Sequence, residues 1–325
     1  MYIRIYFLSI LFSMLLWGLI VFGEVGRHTN SSQWVADVYH YKEDINISSP
    51  KIVIVGGSNG LFGVNSSILS EALGYPVLND CVNAGVELPT ILAHAERVIK
   101  RGDIVIAPLE YPLYSYSGEA GEQMIDYLYA READMVKDLT LFEQFWIFWH
   151  ISYDRVYRGY FDGEDKKSLT GVYGVHNIDK NGDQINTEAE HQSEQMRAEL
   201  NGKEPERYGE GFVENSLGFR YISKFVNWCR DRGVRVIFVP STLMDSPYYH
   251  NSEIESRYYS NFKKMMKSKG FIYAGEPFDY MYDKSLYFNT NFHLNSRGRD
   301  LRTKRLIEDL NPLFPKNYKA SLPYD

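Results

Sequence analysis

Short apolar runs rich in β-branched residues, each ending at a turn signal, constrain this chain more than any other feature. Residues 51–55 (KIVIV), 76–81 (PVLNDC) and 103–109 (DIVIAPL) are the first three. Such runs read as strands buried on both faces, as in a parallel sheet. Helical spacing fills the gaps between them. Asn65 or Ser66 can cap a helix carrying Ile68, Leu69, Ala72 and Leu73 on one side, and Pro89 can open another with Leu92, Ala95 and Ile99. The alternation predicts an α/β fold, a parallel sheet sandwiched by helices. It resumes with a helix over 216–231, a strand over 234–239 (VRVIFV), a helix over 254–268, a short strand over 271–273 and a last helix over 296–310.

Between these two halves the rhythm breaks. Residues 118–136 are acidic and polar, 139–160 (LTLFEQFWIFWHISYDRVYRGY) are densely aromatic, and 161–210 are largely polar again. The stretch at about 115–210 reads as an insertion over one end of the sheet. Trp146, Phe148 and Trp149 fit packing of that insertion, with a sugar groove or a membrane contact as alternatives. One large domain with an insertion suits 325 residues of near-average apolar and charged content. A net charge of −7 gives no reason to expect nucleic acid as a partner.

Residues 5–22 (IYFLSILFSMLLWGLIVF) carry no charge and are long enough to cross a bilayer as a helix. Arg4 precedes them, which favours a cytoplasmic amino terminus, and Val21-Phe22-Gly23 is a poor cleavage site. The expected layout is an anchor over 1–23, a polar stalk over 24–50, a folded domain over 51–311 outside the cytoplasm and a tail over 312–325. Cys81 and Cys229 lack metal-type spacing and read as buried free thiols, a disulfide staying open.

Several residues carry chemical potential. Gly56-Gly57-Ser58-Asn59 follows the first strand, where open α/β sheets place ligands and where glycines let amide N–H groups converge on an anion. Asn83-Ala84-Gly85 follows the second strand. His293 lies in a loop (FNTNFHLN, 288–295) just before the last helix, and imidazole is the usual general base for a serine. Asp179, Asn181, Asp183 and Glu190 approach calcium-loop spacing. Gly182 falls at the wrong place in that loop, however, and Asn181-Gly182 fits a tight hairpin instead. Arg297, Arg299, Arg302 and Arg305 read as a solvated helix face.

These blocks together resemble the SGNH-hydrolase (GDSL-like) superfamily: Gly-x-Ser after strand one, Asn-x-Gly after strand two, His-Leu-Asn before the last helix. Within it the chain is most similar to membrane-anchored proteins associated with bacterial surface polysaccharides, through residues 56–63, Glu110-Tyr111 and residues 289–298. The resemblance covers about 50–114 and 216–311 and leaves the insertion aside. It implies a flavodoxin-like sheet, Ser58 as nucleophile, His293 as base, and the Ser58 and Gly85 amides as oxyanion donors. Gly57, Asn59, Asn83 and Glu110 would complete the surroundings of oxyanion and substrate. The family's acid would fall at Thr290 or, in the subgroup, at Asn289, both neutral here. The second imidazole nitrogen is therefore expected to face Asn289, Thr290 or a backbone carbonyl, Asn289 being the residue counted in the site. The family's third-block Asn is absent from Pro108-Leu109-Glu110-Tyr111, leaving Asn83 or Asn59 to replace it.

The implied activity is O-acyl transfer, chiefly acetyl, to or from a cell-surface polysaccharide, by an acetyltransferase or acetylesterase needing no cofactor or metal. The implied partners are a membrane-bound O-acyltransferase or a polysaccharide export complex, at the bacterial cytoplasmic membrane. The neutral partner and missing Asn favour a rival, a weak or inactive module that binds polysaccharide or scaffolds such a complex.

Overall fold

The computed structural model describes residues 2–27, 29, 32–161 and 171–314. At its centre is a five-stranded parallel sheet in the order β2-β1-β3-β4-β6. Strands β1 (Ile52–Ile54), β2 (Val77–Asn79), β3 (Ile104–Ala107) and β4 (Arg235–Phe238) are the expected runs trimmed to their paired residues. Ile52 lies opposite Val77 on one side and Ile104 on the other. A short β5 (Leu243–Met244) pairs with β7 (Met281–Tyr282) outside the sheet, and β6 (Ile272–Tyr273) closes its far edge. Every residue of β1, β2 and β3 is buried, so helices cover both faces. The chain winds outward in both directions from β1. The loops after β1 and β3 therefore diverge around a crevice at the carboxyl ends of those strands.

Local chemistry sets the helix starts. After α1 (Tyr2–Phe22), α2 (Gln33–Glu43) and α3 (Ser58–Gly63), Asn65 caps α4 (Ser66–Leu73) by accepting from Ile68 N–H. Helix α5 (Glu87–Val98) begins two residues before Pro89, which occupies its first turn, and α6 (Tyr111–Tyr114) follows β3. The insertion holds α7 (Glu122–Arg131), α8 (Leu141–His150), α9 (Tyr153–Phe161) and α10 (Glu194–Asn201). Thr140 and Glu143 start α8 with a reciprocal capping box. Ser216 caps α11 (Leu217–Arg230), α12 (Pro247–Asn251) and α13 (Glu253–Ser268) flank β5 and β6, and Asn295 caps α14 (Ser296–Leu310).

Three sequence readings take a definite form. Residues 178–184 make a hairpin in which Gly182, at φ +90°, closes a turn on Asp179, and Asn181 O accepts from Asn79 N–H at the exposed edge of β2. The insertion thereby covers the sheet edge. Asp183 accepts from Ser66 and Asn79 and ties the hairpin to α4. Cys81 and Cys229 are free and buried, and burial pushes both thiols up, Cys229 to about 12. Residues 315–325 of the expected tail lie outside the described residues, whereas Phe314 is buried against Tyr75.

The segment read as a stalk carries α2, which is built into the main core. Val35, Ala36, Val38 and Tyr39 are buried there, and the Tyr39 ring stacks on His94 at 3.7 Å. Lys42, fully buried, donates from Nζ to Cys81 O at 2.5 Å. The reason lies in helical spacing: 35, 38, 39 and 42 share one face, and Lys42 has a carbonyl to receive its ammonium.

A second, smaller core forms where Val21 of α1 meets Met124, Leu128, Ile147, Ile151 and Val156 of the insertion. Among the described residues α1 is the one helix long and apolar enough to cross a membrane.

Truncating Tyr39 to Ala should cost about 3–5 kcal/mol, the usual loss for a large buried aromatic. Denaturant unfolding of the full chain in detergent measures it. A loss under about 0.5 kcal/mol, as at an exposed surface site, would mean that α2 does not share the core.

Candidate functional site

Ser58 is the first residue of α3 and half-buried at the carboxyl end of β1. The turn before it is shaped by what crowds it. A Cβ on Gly57 would lie 2.5 Å from Ala84 N and 2.6 Å from Glu110 Oε1, so only glycine fits. Ala84 belongs to the loop after β2 and Glu110 to the loop after β3. Three strand ends thus converge on Ser58.

Glu110 clasps this turn. Its Oε2 accepts from Gly57 N–H at 3.0 Å and its Oε1 from Asn59 N–H at 2.9 Å, one on each side of Ser58. Burial pushes its carboxyl up, and the two amide bonds offset only part of that rise. Asn59 is saturated as well. Its Nδ2 donates to Thr242 O and Oγ1 and to Phe292 O, while its Oδ1 accepts from Thr242 N–H. Asn59 is therefore a structural bolt and no spare oxyanion donor. The Gly57 amide is likewise occupied, and Gly85 N–H donates to Asn83 Oδ1 at 2.6 Å. Among the described residues, Ser58 N–H and Asn83 Nδ2 remain without partners at this corner.

His293 reaches the same corner from the other side of the molecule. Its ring stacks on Phe62 with centroids 4.1 Å apart and planes 5° apart. Phe62 is four residues after Ser58, on the same face of α3. The preceding carbonyl, Phe292 O, accepts from Asn59 and Thr242. Thr290 Oγ1 accepts from the N–H groups of Phe292 and His293, both at 3.2 Å, and so shapes the loop without touching the ring.

The imidazole itself is oriented by a neutral chain. Its Nδ1 pairs with Asn289 Oδ1 at 2.8 Å, and Asn289 Nδ2 donates to Tyr173 Oη at 3.0 Å. An amide oxygen only accepts, so Nδ1 carries the hydrogen and Nε2 keeps its lone pair. Burial lowers the His293 pKa to about 3, so the ring is neutral near pH 7. Nε2 and Ser58 Oγ each lack a hydrogen-bond partner among the described residues.

Beneath α3 lies Arg302, expected on a solvated face but fully buried. Its guanidinium donates to Asn59 O at 3.0 Å and Pro240 O at 3.1 Å. The position is open because Gly63 has no side chain: a Cβ there would lie 2.1 Å from Arg302 Nη1. Of the other three arginines, Arg297 is exposed, Arg299 donates to Gln184 O and Arg305 pairs with Asp279 and Asp309.

Three neighbours escaped the sequence reading. Tyr173 orients Asn289 and edges the His293 ring, and Gln123 Oε1 lies where a Cβ of Gly85 would be, at 2.0 Å. Both belong to the insertion, where no periodicity gives a register. Glu87 is the third. Its backbone, at φ 61° and ψ 164°, occupies a region that is otherwise glycine's, two residues past Gly85. Burial pushes its carboxyl up to about 7, and among the described residues that carboxyl makes no hydrogen bond.

The cavity between α5, α7 and α11, about 720 Å³ and lined by Ala93, Leu128 and Phe225, includes neither Ser58 nor His293. Geometry, not cavity size, marks the corner. No family model matches the chain, and no curated protein matches it.

Two outcomes are expected. Glu87→Gly should raise the thermal midpoint, because relief of about 1–3 kcal/mol of backbone strain exceeds glycine's added chain entropy. A lower midpoint in a circular-dichroism melt would refute the strain. The second concerns acid. Unfolded His293 takes up a proton near its ordinary 6.5, folded His293 only near 3. In that window the unfolded chain binds more protons, so stability falls as pH drops. His293→Gln should flatten this limb of a stability-against-pH curve, and an unchanged slope would contradict it.

Proposed function

We propose that this chain is an SGNH-hydrolase-like acyl-transfer protein, with Ser58 as nucleophile and His293 as base. The observation that carries the reading is the chain Tyr173–Asn289–His293, which leaves a neutral imidazole with its Nε2 lone pair free beside the α3 face headed by Ser58. The sequence blocks bring the family, and the strand ends bring the residues together. In the proposed reaction Ser58 Oγ attacks the carbonyl carbon of an acyl ester while its proton passes to His293 Nε2. The ester C–O bond then breaks, the departing alcohol takes that proton, and acyl-Ser58 remains. A sugar hydroxyl or water reverses these steps and frees the serine. Ser58 N–H and Asn83 Nδ2 are the donors left for the oxyanion. Catalytic hydrogen bonds are often long before substrate binds, which suits the unpaired Oγ and Nε2.

The acyl group proposed is acetyl and the acceptor or source a cell-surface polysaccharide. The domain would sit outside the cytoplasm on the α1 anchor, with a membrane O-acyltransferase or export complex as partner. The resemblance, Arg4 and the apolar α1 support this setting.

One observation favours the rival, a module that binds polysaccharide with little or no turnover. Glu110 and Asn83 already occupy the Gly57, Asn59 and Gly85 amides, and loss of one oxyanion donor can cost roughly 100- to 1,000-fold in rate.

Incubation with an activated acetyl ester separates the two. The serine reading expects an acetyl mass on the peptide containing Ser58, lost in Ser58→Ala and much slowed in His293→Ala. Asn289→Asp should speed labelling, because a carboxylate stabilises the imidazolium better than an amide does. Equal behaviour of wild type and Ser58→Ala, with glycan binding retained, would establish the rival.

A further inference from the structure

The aromatic helices of the insertion are built inside out. On α8, Leu141, Phe142, Phe145 and Trp149 recur at helical spacing and face outward, Leu141 at 82% and Phe145 at 61% exposure. On α9, Tyr153, Tyr157, Tyr160 and Phe161 do the same, Tyr153 at 81% exposure. Phe145 stacks on Trp149 and Tyr157 lies against Phe161, so each stripe is continuous. An amphipathic helix ordinarily turns such a stripe to the core, and neighbouring outward stripes mark a contact surface.

The occupant is indicated by what adjoins the stripes. The Tyr153 ring lies 5.0 Å from Trp17 of α1, Phe148 lies 6.5 Å from Phe22, and Tyr160 Oη donates to Ile20 O at 3.0 Å. Trp17 precedes Phe22 by five residues, about 7.5 Å along a helix whose 21 residues span roughly the apolar thickness of a bilayer. A ring beside Trp17 is therefore level with the outer acyl chains whenever α1 spans.

Just past Phe22 the chemistry changes at one height. Buried Glu24 pairs with Arg155 of α9, Arg155 also pairs with Asp126 of α7, and Arg27 lies over the Tyr160 ring at 4.1 Å. The apolar run of α1 thus ends where charged groups of α7 and α9 meet the chain, as at a membrane interface, where Tyr and Trp gather.

We propose that the outward faces of α8 and α9 lie at the boundary of headgroups and upper acyl chains in the bilayer that α1 spans. They form an interfacial platform that holds the domain against the lipid surface. This inference is independent of the chemistry at Ser58.

The test uses the full chain in vesicles of phosphatidylethanolamine and phosphatidylglycerol doped with a lipid bearing a nitroxide on its upper acyl chain. Cys81 and Cys229 are buried, so single cysteines introduced by Phe145→Cys, Tyr157→Cys, Leu15→Cys in the span and Ser260→Cys on exposed α13 take a fluorophore selectively. Quenching at 145 and 157 should approach that at 15 and exceed that at 260 several-fold. Quenching at 145 and 157 no greater than at 260 would overturn the platform. So would probes shielded from water but not quenched, with shielding that rises with protein density, since a second copy would then cover the stripes. Failure of Leu15→Cys to be quenched would remove the span itself and the proposal with it. None of these outcomes depends on acylation of Ser58.

Discussion

The buried carboxylate of Glu110 is the contact on which this corner depends. It joins the end of β3 to the first turn of α3 by accepting the amides on either side of Ser58. A negative group at a helix start is favourable in itself, and Arg302 answers it by donating to a carbonyl of the same short helix. With hydrogen bonds from Glu110 at one side and Arg302 at the other, six residues that would be unstable alone are pinned. The arrangement needs glycine at 57, where the carboxylate arrives, and at 63, where the guanidinium does. The same clasp that fixes Ser58 consumes amides that an oxyanion would use. Position and donor capacity are in competition here.

The sheet was legible because uninterrupted apolar runs leave few alternatives: 51–55, 103–109 and 234–239 each became a parallel strand. The cap at Asn65, one of two candidates there, was legible for a local reason, a side chain satisfying an amide a few residues on. Of the candidate corner, Ser58 and His293 could be named in advance from their places after a strand and before the last helix, and Asn289 only through the family resemblance, with Thr290 as an alternative. What the other residues touch could not. Lys42, Arg302 and Glu110 are charged residues whose burial depends on carbonyls or amides far off in sequence, so hydropathy places them outside. Residues 24–50 failed for the same reason. A helix with one apolar face and a buried lysine looks polar on average, and the Cys81 carbonyl that receives Lys42 cannot be read from its sequence.

The insertion links the two cores. Helix α7 starts with Gln123 against Gly85 and ends with Arg131 donating to Thr29 O, next to the chain that leaves α1. Ten residues of helix, about 15 Å, therefore separate the loop beside Ser58 from the segment that follows α1. Along the way Asp126 accepts from Thr29, and Met124 and Leu128 pack in the core that contains Val21. A site built this way stays at a fixed, short distance from the level where α1 ends.

The electrostatics of His293 set what such a site could do. A base works best when its pKa lies near the working pH, because availability and proton affinity are then balanced. Burial against Phe62 favours availability alone: the ring is always neutral, and its affinity for a proton is low. Asn289 fixes the tautomer as well as an aspartate would, yet offers only a dipole to the imidazolium. Charge must then be made where opposite charge forms with it. In acyl transfer the imidazolium and the oxyanion arise together within a few ångströms, and at low dielectric their attraction offsets much of the burial penalty. A substrate that seals the corner from water would strengthen that attraction, whereas a small ester leaving it wet would not. In the proposed reaction the neutral Asn289 would therefore favour a bulky acyl acceptor over water.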